Sequence, residues 1–336
     1  MRHDAFEALF CLDFAADLLT AAKTQKAWPL CDQIISKLAM KPDLKAVGPL
    51  VDVLAADTFA CLSPEVVGFA VQTLDKIGWK PARIEDAPAV YMRIKILEYI
   101  KNGQSDVCVQ LGESAIPHLL DLLRCNVPPR SYANTEAIAI CDILKKIGAP
   151  AVEPLIAAIG SRRDQEYKSF DCYLVQTLGR INNSQAYTFL MNNMLDRNVQ
   201  HWVRRASILA LGEIGHGAAN AADALLDILN TETERPSSWG GSGATSEDYV
   251  PSNAWLEEMV GDIRIAAATT LGQIGDFRAV EPLIVLYEKD LNRFLRTAAI
   301  SALGNLGGLR AVNMLLSALN ICLNDFNRSE EAITIV

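Results

Sequence analysis

A five-residue pattern returns along this chain at a spacing that very few folds can accommodate. LDKIG stands at 74–78, LKKIG at 144–148, LGRIN at 178–182, LGEIG at 211–215, LGQIG at 271–275 and LGNLG at 303–307. Leu144, Leu178 and Leu211 are separated by 34 and 33 residues, and Leu271 and Leu303 by 32, a period in the range of stacked helical hairpins. One supersecondary unit is repeated.

The units align residue by residue. Val203, Ile263 and Leu295 share one column, Arg204, Arg264 and Arg296 the next, and Ala206, Ala266 and Ala298 another. Leu211, Leu271 and Leu303, then Ile214, Ile274 and Leu306, complete the set. Apolar residues at i, i+3, i+8 and i+11 form one stripe of an amphipathic helix. A second apolar segment follows each motif: AVEPLIAAI from Ala151, AANAADALLDIL from Ala218, AVEPLIVLY from Ala279 and AVNMLLSAL from Ala311. AVGPLVDVL from Ala46 and AIPHLLDLL from Ala115 are earlier copies of this element. Each unit is predicted to be two antiparallel helices joined by a short turn.

Glycine and proline punctuate the pattern as such hairpins require. Gly215, Gly275 and Gly307 fall where the first helix must stop, a place for a left-handed residue without a Cβ penalty. Gly212, Gly272 and Gly304 come one turn earlier, where a missing side chain would let a neighbouring helix approach closely. A phosphate-cradling loop needs its glycines between a strand and a helix N-terminus, whereas these follow a helix. Pro49, Pro117, Pro154 and Pro282 all sit in the first turn of the second helix, where a missing N–H costs nothing.

VRRASILALGEIG and IRIAAATTLGQIGDFRAVEPL resemble the HEAT-like repeats of the phycobilin-lyase type, whose pattern pairs V-R-x-x-A-x-x-A-L-G-x-I-G with A-V-x-P-L. LDKIGWKP followed by VQLGESAIPHLLDLL is an arrangement also seen in bacterial and archaeal proteins of this repeat type. The resemblance covers about residues 45–325 and is strongest from about 140 onward. It implies an all-α fold, a right-handed α-α superhelix of stacked antiparallel helix pairs. It does not imply one activity, because such repeats serve scaffolds, adaptor subunits and unrelated enzymes.

The chain departs from the repeat in four places. Residues 1–44 are helical in pattern but lack the turn motif, as expected of an N-terminal cap on the array spanning 45–323. The rhythm is irregular over 79–110, where GWKPARIEDAP and a further helix, VYMRIKILEYI, intervene. From Leu211 to Leu271 there are 60 residues, so a loop insertion of roughly 27 residues falls within 231–258. Residues 324–336 form a polar tail with a short apolar ITIV.

Composition narrows the function classes. Half of the 336 residues are hydrophobic, enough for a continuous core, and 31 basic against 40 acidic side chains leave a net charge of -9. That balance speaks against nucleic acid and anionic lipid as partners. No run of 18 apolar residues exists, and the eight cysteines are scattered without C-x-x-C or metal-ligand spacing, which is the usage of a soluble cytoplasmic protein. Most of the cysteines, as in AICDIL and SFDCYLV, read as small buried hydrophobes.

No catalytic constellation emerges. Walker, G-x-S-x-G and dinucleotide motifs are missing, as is any metal cluster. Deoxyhypusine hydroxylases of similar repeat architecture are marked by His-Glu dipeptides; His3, His118, His201 and His216 are followed by Asp4, Leu119, Trp202 and Gly217. Basic pairs such as Arg162–Arg163 and Arg204–Arg205 are too small for the track of a DNA glycosylase.

The expectation is a HEAT-repeat scaffold or adaptor that needs no cofactor and binds a protein partner on its concave helical surface. The insertion supplies the candidate partner-binding residues Trp239, Tyr249 and Trp255; the repeated column Arg204, Arg264 and Arg296 is expected to stack along the helices and pair with carboxylates or carbonyls, with a role as polar contacts for a partner as the alternative. The alternative implied by the resemblance is a phycobilin lyase or chromophore-handling protein. It would take a bilin as bound ligand and aid attachment of this open-chain tetrapyrrole to an acceptor cysteine.

Overall fold

The computed structural model describes residues 14–55, 64–81, 87–126, 135–160, 168–231, 263–290 and 292–324. Every regular element among them is helical, and none of these helices is long and apolar enough to cross a membrane. The fold is an all-α repeat solenoid, divided into two compact units. One comprises Met1–Asn126 with Asn134–Ile147, the other Val127–Ala133 with Gly148–Val336. The aromatic insertion and the polar tail lie outside the described residues.

The first unit contains α1 (Ala15–Thr24), α2 (Trp28–Met40), α3 (Val47–Ala55), α4 (Pro64–Ile77), α5 (Ala89–Lys101), α6 (Ser105–Gln110), α7 (Ile116–Asn126) and α8 (Thr135–Ile147). Leu19, Ile34, Leu38, Leu50 and Leu74 are fully enclosed in its core. The segment without the turn motif thus contributes α1 and α2 to a core shared with the first recognisable repeat. The irregular stretch provides the predicted extra helix, α5, and the short α6.

The second unit contains α9 (Val152–Ala158), α10 (Lys168–Ile181), α11 (Ser184–Leu195), α12 (His201–Ile214), α13 (Ala222–Thr231), α14 (Ile263–Ile274), α15 (Val280–Lys289), α16 (Arg293–Leu306) and α17 (Gly308–Asn324). The first helices α10, α12, α14 and α16 pack side by side, each against the next. The insertion does not interrupt this order: α14 lies on α12, and the buried Thr270 hydroxyl donates to the Ile208 carbonyl at 2.9 Å. Leu211, Leu271 and Leu303, one column in sequence, are all fully buried.

Local chemistry accounts for the helix ends. Gly215, Gly275 and Gly307 have φ of 66°, 82° and 66°, and Asn182, which replaces glycine in LGRIN, has φ 52°. Asparagine is among the few residues with a side chain that tolerate this region. A 3-10 turn introduces several second helices, as at Leu44–Ala46, Ala149–Ala151 and Phe277–Ala279, and each of these turns closes on a fully buried alanine. The Asp276 carboxylate accepts from the Arg278 amide at 2.9 Å and fixes one such turn.

The earlier glycine column divides. A Cβ on Gly272 would lie 2.6 Å from the Ala302 Cα, and one on Gly212 would collide with the Gln273 side chain. Gly179 likewise faces Ala210, with 2.7 Å to its carbonyl oxygen. The expectation of close approach fails at Gly304, where nothing lies within 4 Å among the described residues. The reason is positional: α16 is the last first-helix among the described residues, with no helix stacked beyond it.

Candidate binding surface

The arginine column was a candidate for polar contacts with a partner. The Arg204 side chain is turned inward, only 7% exposed, and its Nε donates to the Met194 carbonyl at 2.8 Å. This ties the start of α12 to the end of α11 and satisfies a carbonyl that the helix leaves open. Arg264 pairs through Nη1 with Asp290 Oδ2 at 2.8 Å, linking α14 to the end of α15. Arg296 is half-buried on α16. The first two guanidinium groups therefore tie the first helices to the ends of neighbouring second helices. Trp239, Tyr249 and Trp255 lie outside the described residues.

A second set of arginines joins the turns and second helices. Arg278 pairs with Asp276 in its own turn and with Asp223 on α13. Arg310 on α17 pairs with Glu281 on α15, its Nε 2.7 Å from Oε1. Asp223 and Glu281 occupy the same repeat position, as do Arg278 and Arg310, so each carboxylate meets the arginine of the following pair. The hydrogen bond from Arg278 holds the Asp276 carboxyl below its ordinary range, and Arg310 does the same to Glu281. These are surface pairs whose value is register more than stability.

Two polar clusters escaped the sequence reading. At the start of α10, Asp171 is buried and its Oδ1 accepts from the Gly160 amide at 3.2 Å. Burial nevertheless holds its pKa above the usual value. Burial also pushes the adjacent Cys172 thiol up to about 11, with the Asp171 charge adding to it and the Arg205 charge opposing. A thiol in that state is protonated at neutral pH and is a poor nucleophile.

The other cluster occupies the irregular stretch of the first unit. Lys95 Nζ lies 2.9 Å from Asp75 and 2.7 Å from Glu98, and the Tyr91 hydroxyl donates to Asp75 at 3.3 Å. The Tyr91 ring packs edge-on against Trp79 with centroids 5.1 Å apart. Burial and the Asp75 charge push Tyr91 up to about 12. Burial opposes the charge on Lys95, but hydrogen bonds to Glu98 and Asp75 outweigh it and raise the ammonium pKa. Both side chains keep their protons at neutral pH, which suits holding α4 to α5 and not proton transfer.

The histidines are dispersed. His118 is set among Arg93 and Asp121 on the α5 and α7 side of the first unit, and the His216 ring fills the space above Gly275. His3 lies outside the described residues. Cys31, Cys108 and Cys141 are buried free thiols, as small apolar core residues would be. Among the described residues, no three His, Cys, Asp or Glu side chains gather as metal ligands.

What the geometry defines is a helical repeat array whose polar residues chiefly secure one element to the next. Residues 254–334 match the family model for HEAT repeats, and residues 203–231 match that for the PBS lyase HEAT-like repeat. The chain is also 29% identical over 132 residues to a bilin biosynthesis protein, PecF, of Mastigocladus laminosus. That alignment covers 38% of this chain and 59% of the relative, so it spans about three fifths of the relative's length. The matches identify HEAT-like repeats, one of them of the phycobilin-lyase type, within residues 203–231 and 254–334.

Proposed function

We propose that the chain is a non-enzymatic scaffold or adaptor that holds a protein partner on the helical face formed by its second helices. The observation that carries this reading is the way successive pairs are fixed. Gly179 and Gly272 admit the alanines of the next helix, while Arg264–Asp290, Arg278–Asp223 and Arg310–Glu281 set the register. A surface built this way is ordered before its partner arrives, so little conformational entropy is lost on binding. The insertion between α13 and α14 adds the partner-reading aromatics Trp239, Tyr249 and Trp255 to that base. Affinity capture with the intact chain tests the reading. A stable protein partner is expected; retention of a small molecule with no protein partner would overturn it.

The similarity to a bilin biosynthesis protein supports a second reading, a protein that binds an open-chain tetrapyrrole and passes it to an acceptor cysteine. Purified protein mixed with bilin would then shift the visible absorption band and promote transfer to an acceptor. Absence of both effects rejects this alternative.

A further inference from the structure

We propose that Asn102 is a site of self-modification, where the chain converts its own asparagine to aspartate and isoaspartate at a rate set by the last turn of α5. The inference does not depend on the partner reading above. Asn102 and Gly103 form the one Asn-Gly dipeptide of the sequence and stand in the turn between α5 and α6. Both residues are exposed, and the Asn102 carboxamide makes no hydrogen bond among the described residues. The turn itself favours glycine at 103. Its φ is 71°, its amide donates to the Ile100 carbonyl at 3.1 Å, and the Gln104 amide donates to the Tyr99 carbonyl at 2.7 Å. This double closure caps α5 around a residue without a Cβ. The same missing side chain leaves the Gly103 nitrogen unshielded beside the carboxamide.

When the turn opens, the Gly103 nitrogen attacks Asn102 Cγ. The new N–Cγ bond closes a five-membered succinimide as the Cγ–Nδ2 bond breaks, and Nδ2 leaves as ammonia with the proton given up by the Gly103 amide. Water then opens the ring. Cleavage at Cγ gives aspartate, cleavage at the main-chain carbonyl gives isoaspartate with a backbone one carbon longer, and no other reactant is consumed. In the folded chain Asn102 has φ -86° and ψ 5°, and the Gly103 amide is committed to Ile100, so ring closure must first break the cap. The reaction therefore reads local opening of the helix end. Asn183, which precedes the small Ser184, is engaged differently: its Oδ1 accepts from the Gln185 amide at 2.7 Å as the cap of α11. Either product at 102 places a carboxylate at the negative end of the α5 dipole, and the adjacent Lys101 is already paired with Glu136 at 3.7 Å. The longer isoaspartyl backbone also displaces both turn bonds and releases the start of α6, two residues on.

Incubation of the full chain at mildly alkaline pH, beside an equal sample unfolded in urea, tests this. Cleavage after glutamate releases the peptide 99–113 with Asn102 internal, and mass spectrometry reads the gain from amide to acid and separates the aspartyl and isoaspartyl forms. Asn102 is expected to convert before any other asparagine of the folded chain, and at least tenfold more slowly than in urea. Hydrogen exchange of the aged protein should be faster over 103–110 than in the fresh one, and an Asn102→Gln variant, whose ring would need six members, should show neither change. No conversion at 102 in the folded chain, another asparagine converting first, equal rates in the folded and unfolded samples, or unaltered exchange over 103–110 after conversion would each overturn the proposal.

Discussion

Gly272 and Ala302 meet so closely that a methyl group on the glycine would sit 2.6 Å from the alanine Cα and 2.8 Å from its Cβ. The neighbour is backbone and cannot swing aside. Gly272→Ala should therefore destabilise the protein by about 1–3 kcal/mol through overpacking. Gly304→Ala, in the same column but with open space before it, should stabilise the helix by roughly 0.5–1 kcal/mol. Denaturant midpoints of the two variants should move in opposite directions. Equal shifts would contradict the packing described.

Leu271 is fully enclosed between its own helix pair and the next. Its truncation to alanine should leave a cavity and cost about 2–5 kcal/mol. Because each pair touches mainly its neighbours, amide protection should fall first in α14, α15 and the flanking helices and only later in α1 and α2. Hydrogen exchange read by mass spectrometry would locate the loss; a uniform loss would show a more cooperative molecule than a stacked array.

Asp171 and His118 should bend the pH dependence of stability in opposite senses. Burial raises the Asp171 pKa above 3.8 against the opposing hydrogen bond from the Gly160 amide, so the folded chain holds this proton more tightly than the unfolded one. Its contribution to stability declines as pH rises from 3.8 through the folded value. Burial, then the Arg93 charge, lowers the His118 pKa below 6.5, with Asp121 opposing, so the unfolded chain takes up that proton first and stability is lost as pH falls below 6.5. Urea titrations at a series of pH values should show Asp171→Asn removing the first decline and His118→Gln the second. Profiles parallel to the unaltered protein in both variants would remove these groups from the account.

Replacing 236–251 with a short Gly-Ser connection should preserve the helical signal, since α14 is seated on α12 by Thr270 and Gly212 irrespective of the loop. Partner or ligand binding should weaken at least tenfold, about 1.4 kcal/mol. Binding that survives the exchange would leave the insertion as a passive tether.

The repeat period, the turn glycines and the first-turn prolines were legible because each is a local requirement. Three or four consecutive residues decide whether a helix starts or stops, and Gly275 at φ 82° answers the same demand in any tertiary setting. The fold class follows from those signals and the apolar columns. The sequence also suggested that the arginine column would pair with carboxylates or carbonyls, but it could not say which. Arg204 reaches a carbonyl ten residues earlier, and Arg264 reaches a carboxylate 26 residues later. Such pairings depend on which helix lies alongside, and that order persists across the insertion. Gly272 and Gly304 make the point most directly. They are identical in local pattern, yet one is covered and the other open, because burial belongs to the neighbour and not to the residue. The sequence by itself determined the unit and its repetition; the tertiary structure decided which faces of that unit are buried, since stacking removes water only where a neighbouring helix lies alongside.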